Sequence, residues 1–362
     1  MRRLLSLLFV FFLTSAGVNA QGLGQGTAEA PVTDWSSADA DTMDLSTEAL
    51  QAHLSRCKKS GAFGCLVAYK GHVIQEWYRK EHRSPFIKTR SAVKSWTGLL
   101  AGMLIADGAI DSVGVPVAKW IPEWTAGAKA DVTIRHLLTM TSGLSDRTGN
   151  PMTIPPPDSA TAATIPEGPG VVVEKNTTGY VFDLQLDFLP GRRFSYSNEG
   201  VQLLSPLLER AAGMPLARYA RERLFGPLGM ENTRLMVDEY YNTVTFGGAE
   251  TTLTEFARIG QLMLNEGRWN GRQIVPASWV ERSTTSIEQM PNYGFLWWID
   301  RKRNNYAATG SLDNVCIVFP DLDLVVARMQ RDPHPGAEVK YQSTQTLDLL
   351  RRIVEEGSAA KE

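Results

Sequence analysis

The sequence predicts an α/β (α+β) protein whose antiparallel sheet is assembled from both chain ends, with a helical lobe inserted between them. Two observations lead there. Runs rich in β-branched and aromatic residues lie near residues 62–78 and again near 293–329. The region between them carries apolar residues mainly at helical spacing. No strong internal repeat competes with a single two-lobed unit.

Taken in chain order, Arg2 and Arg3 precede an apolar run from Leu4 to Leu13 and small residues around Val18-Asn19-Ala20. That is the pattern of a secretory signal peptide over residues 1–20, and its apolar run is too short to cross a bilayer. The expected location is therefore periplasmic or secreted. Residues 21–46 read as a flexible leader rich in Gly, Ala, Ser and Asp. Ala62–Tyr69 and His72–Tyr78 form a predicted hairpin across Lys70-Gly71.

Trp96, Leu99, Leu100, Met103 and Leu104 follow the spacing of an amphipathic helix that stops at Gly108. Ile134–Met140, Val201–Ala212, Leu216–Leu224 and Leu253–Leu264 read as helices as well. Met152–Gly191, rich in proline, reads as a long loop: either a lid or binding loop, or a tolerated surface insertion. Within it, Asn176-Thr177-Thr178 matches a glycosylation sequon. Tyr293–Ile299, Asn314–Phe319 and Leu324–Met329 return to strand patterns, and Gln345–Val354 closes with a helix. Residues 356–362 are a polar tail.

Composition narrows the function classes. At 362 residues the chain can bury a proper core. With 43% hydrophobic residues and 37 basic against 39 acidic side chains, it is neither disordered nor basic enough to neutralise nucleic-acid phosphates. The expectation is no nucleic-acid partner and no stable membrane span once the signal is removed. Three cysteines make no disulfide scaffold and no CxxC pair. Cys57 and Cys65 flank a turn-like segment and suit a small-loop disulfide, although spacing alone leaves the connectivity open. Cys316 sits in a strand pattern as a small apolar residue.

The sequence has no GxSxG elbow, no HExxH and no P-loop, and its five histidines are scattered. A hydrolase built from it needs another base, and a serine followed by a lysine one turn later is such a device. Three S-x-x-K matches occur: Ser55/Lys58, Ser91/Lys94 and Ser358/Lys361. Only Ser91 opens a strongly periodic helix, where Lys94 shares its face and the helix N-terminus favours a developing oxyanion. Without further context, Ser91 also reads as a helix cap and Lys94 as a solvated side chain. Tyr196-Ser197-Asn198 opens another helix pattern, and a tyrosine held near a lysine is a competent proton shuttle. Tyr240-Tyr241-Asn242 is its competitor.

Ser91-Ala92-Val93-Lys94 followed by Tyr196-Ser197-Asn198 resembles the serine β-lactamase-related family, in particular its class C, esterase and 6-aminohexanoate-dimer hydrolase branch. Thr133–Leu144, Pro190–Met230, Gly247–Trp279 and Tyr293–Trp298 carry the likeness, which spans roughly residues 47–355. The resemblance implies a β-lactamase/transpeptidase-like fold and an acyl-enzyme mechanism without metal or organic cofactor. The substrate it implies is a small-molecule ester or amide. In that mechanism Ser91 attacks, Lys94 and Tyr196 manage the proton, and Asn198 orients substrate or Lys94.

The third motif departs from the family. One alignment sets Ala308-Thr309-Gly310 against Lys-Thr-Gly; another sets Ser311-Leu312-Asp313-Asn314 against His-Gly-Gly-Gln. Both place the site-lining strand at Gly310 and Ser311, and neither supplies a cation. The Ser311 N–H still suits an oxyanion hole, while recognition of a substrate carboxylate loses its partner. An ester or amide is thus favoured over a β-lactam, with Leu312 and Asp313 crowding the approach and Asp313 open to a cationic substrate. The competing readings are a non-catalytic penicillin-binding-like protein with a degenerate third motif, and a D-Ala-D-Ala-type cell-wall peptidase. Of Trp297 and Trp298, one is expected in the core and the other along the cleft; His136 is given no chemical role.

Overall fold

The computed structural model describes residues 35–80, 86–144, 172–173 and 176–359. The predicted signal segment and most of the Met152–Gly191 loop lie outside the described residues. Within that loop, Thr177–Asp183 is a helix, because Asn176 caps it by accepting a hydrogen bond from the Gly179 N–H. The sequon asparagine is thereby engaged, and Thr177 and Thr178 are buried.

The central sheet has six strands: β1 (Gly64–Tyr69), β2 (His72–Tyr78), β3 (Trp298–Asp300), β4 (Asn305–Gly310), β5 (Asn314–Phe319) and β6 (Leu324–Met329). Their spatial order is β2-β1-β6-β5-β4-β3, antiparallel at every pairing. The two chain ends therefore meet at β1 and β6, with Leu66 opposite Ala327. Lys70 and Gly71 turn the first hairpin with φ of +47° and +78°, the left-handed pair that a two-residue hairpin requires. Tyr293–Phe295, expected in a strand, instead forms a turn held by a Tyr293–Trp298 bridge, so β3 starts only at Trp298.

Side chains alternate between the faces of the sheet. Leu66, Ala308, Cys316, Val318 and Ala327 face the main core. Cys65, Val67, Val315, Ile317 and Val326 face a second core formed with α1 (Thr47–Lys59) and α10 (Thr344–Ala359). Cys316 is fully buried, and burial pushes its thiol up to about 12, as suits an inert apolar residue.

Residues 35–46 are not loose where they are described. Val73 exchanges backbone hydrogen bonds with Ser36 and Ala38, and Leu45 is buried. Likewise α10 runs past the expected tail to Ala359, because Gly357 lies against Asp44 and Leu45, where a Cβ would fall 2.2 Å from the Asp44 carbonyl.

Between the chain ends, α2 (Val93–Ala106) is the pivot. Its apolar spacing suggests one buried face, yet every side chain from Val93 to Leu104 is buried. The helix is packed between the sheet and the helical lobe, so it is surrounded on all sides. Gly102 admits the Trp279 ring, whose atoms would lie 2.3 Å from an added Cβ. α8 (Leu253–Leu264) has the predicted bounds, Val201–Ala212 divides into α5 (Asn198–Gln202) and α6 (Leu204–Ala212), and α3 (Ile134–Leu138), α4 (Thr177–Asp183), α7 (Leu216–Ala220) and α9 (Ala277–Ser283) are further helices between the chain ends.

Cys57 of α1 and Cys65 of β1 form a disulfide across eight positions. Closing a loop of that size constrains the unfolded chain by about 2–3 kcal/mol. The double variant Cys57→Ser/Cys65→Ser is expected to lose about that much in denaturant unfolding.

Beside the disulfide, His53 is fully buried between the Gln75 carboxamide (2.9 Å) and the Tyr341 hydroxyl (2.7 Å). Burial pulls its pKa down to about 4, partly opposed by the Gln75 bond. The folded state thus refuses a proton that the unfolded chain takes up below about 6.5. This contribution is complete above pH 6.5 and is lost as pH falls through 4, a change of about 3 kcal/mol. Stability measured over that window is expected to fall less steeply in His53→Gln.

Candidate active site

Ser91 lies in the 3-10 turn Arg90–Ala92 that feeds directly into α2. Arg90, immediately before it, has φ of +56°, a conformation that costs a non-glycine residue about 1–2 kcal/mol. The strain is held by the Gly248 N–H donating to the Arg90 carbonyl (3.3 Å) and by the Arg90 guanidinium on the Arg331 carbonyl (3.0 Å). The turn leaves Ser91 partly exposed while Ala92 and the helix beyond are buried.

One turn on, the Lys94 ammonium donates to Ser91 Oγ at 3.0 Å and also to the Phe246 carbonyl. The side chain is only 2% exposed. Its Nζ lies 5.0 Å from the centroid of the Tyr196 ring and 5.8 Å from that of Phe246. The helix that carries it is pinned along its length. Ser95 Oγ donates to the Leu296 carbonyl, Thr97 Oγ1 to the Thr245 carbonyl, and the Trp279 indole to the Gly98 carbonyl.

Tyr196 immediately precedes the N-cap of α5. Ser197 Oγ accepts from the Gly200 N–H (3.0 Å), and the Ser195 N–H donates to the Met140 carbonyl (2.8 Å), which sets the tyrosine in the joint between lobes. Its ring stacks on Trp298 at 6.3 Å between centroids, with Tyr293 edge-on to Trp298 at 4.9 Å. Burial, and to a lesser extent the neighbouring Tyr196, holds the Tyr293 phenol well above its ordinary pKa, so Tyr293 stays protonated and is no rival base. Trp297 is fully buried and Trp298 is not, which separates the pair into a core residue and a wall of the site.

Asn198 is brought to the same joint, but its carboxamide oxygen is buried without a hydrogen-bond partner and does not accept from Lys94. Gly310 closes the other wall. A Cβ there would fall 2.4 Å from the Thr89 carbonyl and 2.9 Å from Arg90 Cβ, so only glycine lets β4 press against the Ser91 turn. Ser311 follows at the exposed end of that strand.

The third-motif residues take separate courses. Ala308 is fully buried in the main core and contributes no polar group. Leu312 and Asp313 take left-handed backbone at φ of +62° and +57°. The Asp313 carboxylate accepts from the Tyr341 N–H at 2.8 Å, and with Leu312 it lines a surface pocket beside Ser60 and Lys340. Its partners are the Tyr341 N–H and, by charge, the Arg328 guanidinium of β6.

The alternatives separate by position. Tyr240 and Tyr241 are 60% and 77% exposed, and Asn242 is occupied with Asp238. Ser55 is exposed on α1, Ser358 Oγ donates to the Val354 carbonyl on α10, and Lys361 lies outside the described residues. His136 completes a capping box with Thr133, a local structural task. The Phe246 carbonyl, which fixes Lys94, escapes sequence reasoning because a backbone acceptor has no residue-type signature.

Comparison with known proteins gives one consistent family. The Beta-lactamase family model matches residues 67–351. The chain is 24% identical over 310 residues to the 6-aminohexanoate-dimer hydrolase of Paenarthrobacter ureafaciens, covering 80% of this chain and 78% of that protein. It is 28% identical over 182 residues to esterase EstB of Burkholderia gladioli, covering 45% and 42%. Among solved structures, a putative 6-aminohexanoate-dimer hydrolase from Bacillus anthracis superposes with a TM-score of 0.69 at 19% identity, over 91% of this chain and 88% of that one.

The contact at Gly310 is testable on its own. Gly310→Ala forces β4 away from the Ser91 turn and is expected to cost about 1–3 kcal/mol in denaturant unfolding, the usual range for an overpacked contact.

Proposed function

Because the chain belongs to the Beta-lactamase family of serine β-lactamase-fold hydrolases, we propose that it is an exported hydrolase that opens a neutral ester or amide through a Ser91 acyl-enzyme. The observation that carries this reading is the 3.0 Å contact between Lys94 Nζ and Ser91 Oγ, made by a buried lysine that faces Tyr196.

In the proposed reaction Ser91 Oγ attacks the carbonyl carbon while its proton passes to the Tyr196 phenolate, which the neighbouring Lys94 ammonium favours. The proton then reaches the leaving oxygen or nitrogen as the carbon–heteroatom bond breaks. The oxyanion sits against the start of α2 and the edge of β4, where the N–H groups of Ser91 and Ser311 serve as donors. Water enters by the reverse proton route and releases the acid. No step requires a metal or cofactor.

Substrate class is argued from charge. No basic side chain occurs from Ala308 to Asn314, so a carboxylate finds no partner at the third motif. The unpartnered Asn198 oxygen favours a substrate N–H on the acyl side, and Trp298 offers an apolar wall. The Cys57–Cys65 disulfide supports export, since such bonds persist in oxidising compartments. Among the described residues no helix is long and apolar enough to cross a membrane.

A panel of p-nitrophenyl esters and anilides, run on the full chain and its variants, tests the reading. Ser91→Ala and Lys94→Ala are expected to lower kcat/KM by about 10³-fold or more, and Tyr196→Phe by about 10²–10⁴-fold, with folding intact. Turnover equal in wild type and Ser91→Ala would show a binding protein instead.

A further inference from the structure

The outer face of the sheet holds a cleft that the proposed reaction does not use. Strand alternation sends Asn305, Ala307 and Thr309 of β4 to this face, opposite to Ala308 and Gly310. Val315 and Ile317 of β5 and Leu347 of α10 complete an apolar floor, and the cleft encloses about 380 Å³.

Asn305 gives the cleft a chemical direction. The residue is 6% exposed, lines the cleft, and its Nδ2 has no hydrogen-bond partner. An orphaned buried donor costs about 1–3 kcal/mol and calls for an acceptor. Nothing basic lines the cleft, and its one acid, Asp300, opposite Asn305 on the β3–β4 ladder, is already ion-paired with Arg303 at 3.0 Å, so neither charge is offered to a ligand. The occupant is therefore uncharged rather than anionic.

We propose that this cleft binds a neutral aliphatic acyl amide or ester, its carbonyl accepting from Asn305 Nδ2 and its tail lying along Ala307, Ile317 and Leu347. The cleft shares one wall with the candidate active site: Trp298 lines it and also stacks on Tyr196. Occupancy thus bears on the ring that supports Tyr196. The inference rests on the cleft and Asn305 and stands whether or not Ser91 is the nucleophile.

The test uses hexanamide titrated into the full chain carrying Ser91→Ala, followed by amide and indole NMR shifts, so that no turnover intervenes. Saturable shifts are expected at residues 298–309 and 343–347, including the Trp298 indole. Asn305→Leu is expected to weaken binding about ten-fold while raising the Tm of the free protein, because the orphan donor is gone. Leu347→Trp, which fills the cleft from α10, is expected to abolish the shifts, and hexanoate to bind about ten-fold more weakly than hexanamide. Shifts confined to Tyr196, Asn198 and Gly310 would place the ligand in the candidate active site and overturn the proposal. So would unchanged affinity in both variants, equal binding of hexanoate, or no saturable shift.

Discussion

The arrangement depends on keeping one lysine almost entirely out of water and still hydrogen-bonded. A buried ammonium is costly unless acceptors and aromatic faces replace its hydration. Lys94 meets that requirement with Ser91 Oγ, the Phe246 carbonyl and the faces of Tyr196 and Phe246. These partners come from the 3-10 turn, the segment before Gly247 and the start of α5. Holding all of them in register is what the lobes around α2 accomplish.

Seen from that constraint, the glycines at two positions are requirements of distance. Gly310 lets β4 touch the Ser91 turn, and Gly102 lets Trp279 lock α2 from behind. The bonds from Ser95, Thr97 and Trp279 then fix the rotation of α2, so Lys94 has one direction to point. At the third motif Ala308 joins the core and the Asp313 carboxylate accepts from the Tyr341 N–H, while Lys94 keeps its contact with Ser91.

Much of this was legible in the residues. β2, β5, β6 and α8 have the expected bounds, because β-branched and apolar runs, or in α8 a 3.6-fold pattern, sit between clear turn signals. The Lys70-Gly71 turn follows from its two-residue hairpin signal, while strand period predicts that Trp297 and Trp298 part without telling which of them is buried. β4 is a different case: Asn305-Tyr306-Ala307-Ala308-Thr309-Gly310 has few β-branched residues, and its strand comes from pairing with β5. The helix at Thr177–Asp183 was hidden by surrounding prolines, and its cap at Asn176 resembles a modification signal. Backbone carbonyls such as that of Phe246 and the reversed course of Asp313 are tertiary outcomes that no local pattern encodes.

The proposed reaction makes Ser91 the nucleophile because Lys94 is held against it. The most direct measurement is site-mapped labelling by an alkyl fluorophosphonate, read by intact mass and peptide sequencing. A single adduct on Ser91 is expected in the wild type, with no adduct in Ser91→Ala and labelling slowed at least about 10²-fold in Lys94→Ala. An adduct on any other residue, or equal labelling rates in wild type and Lys94→Ala, would contradict it.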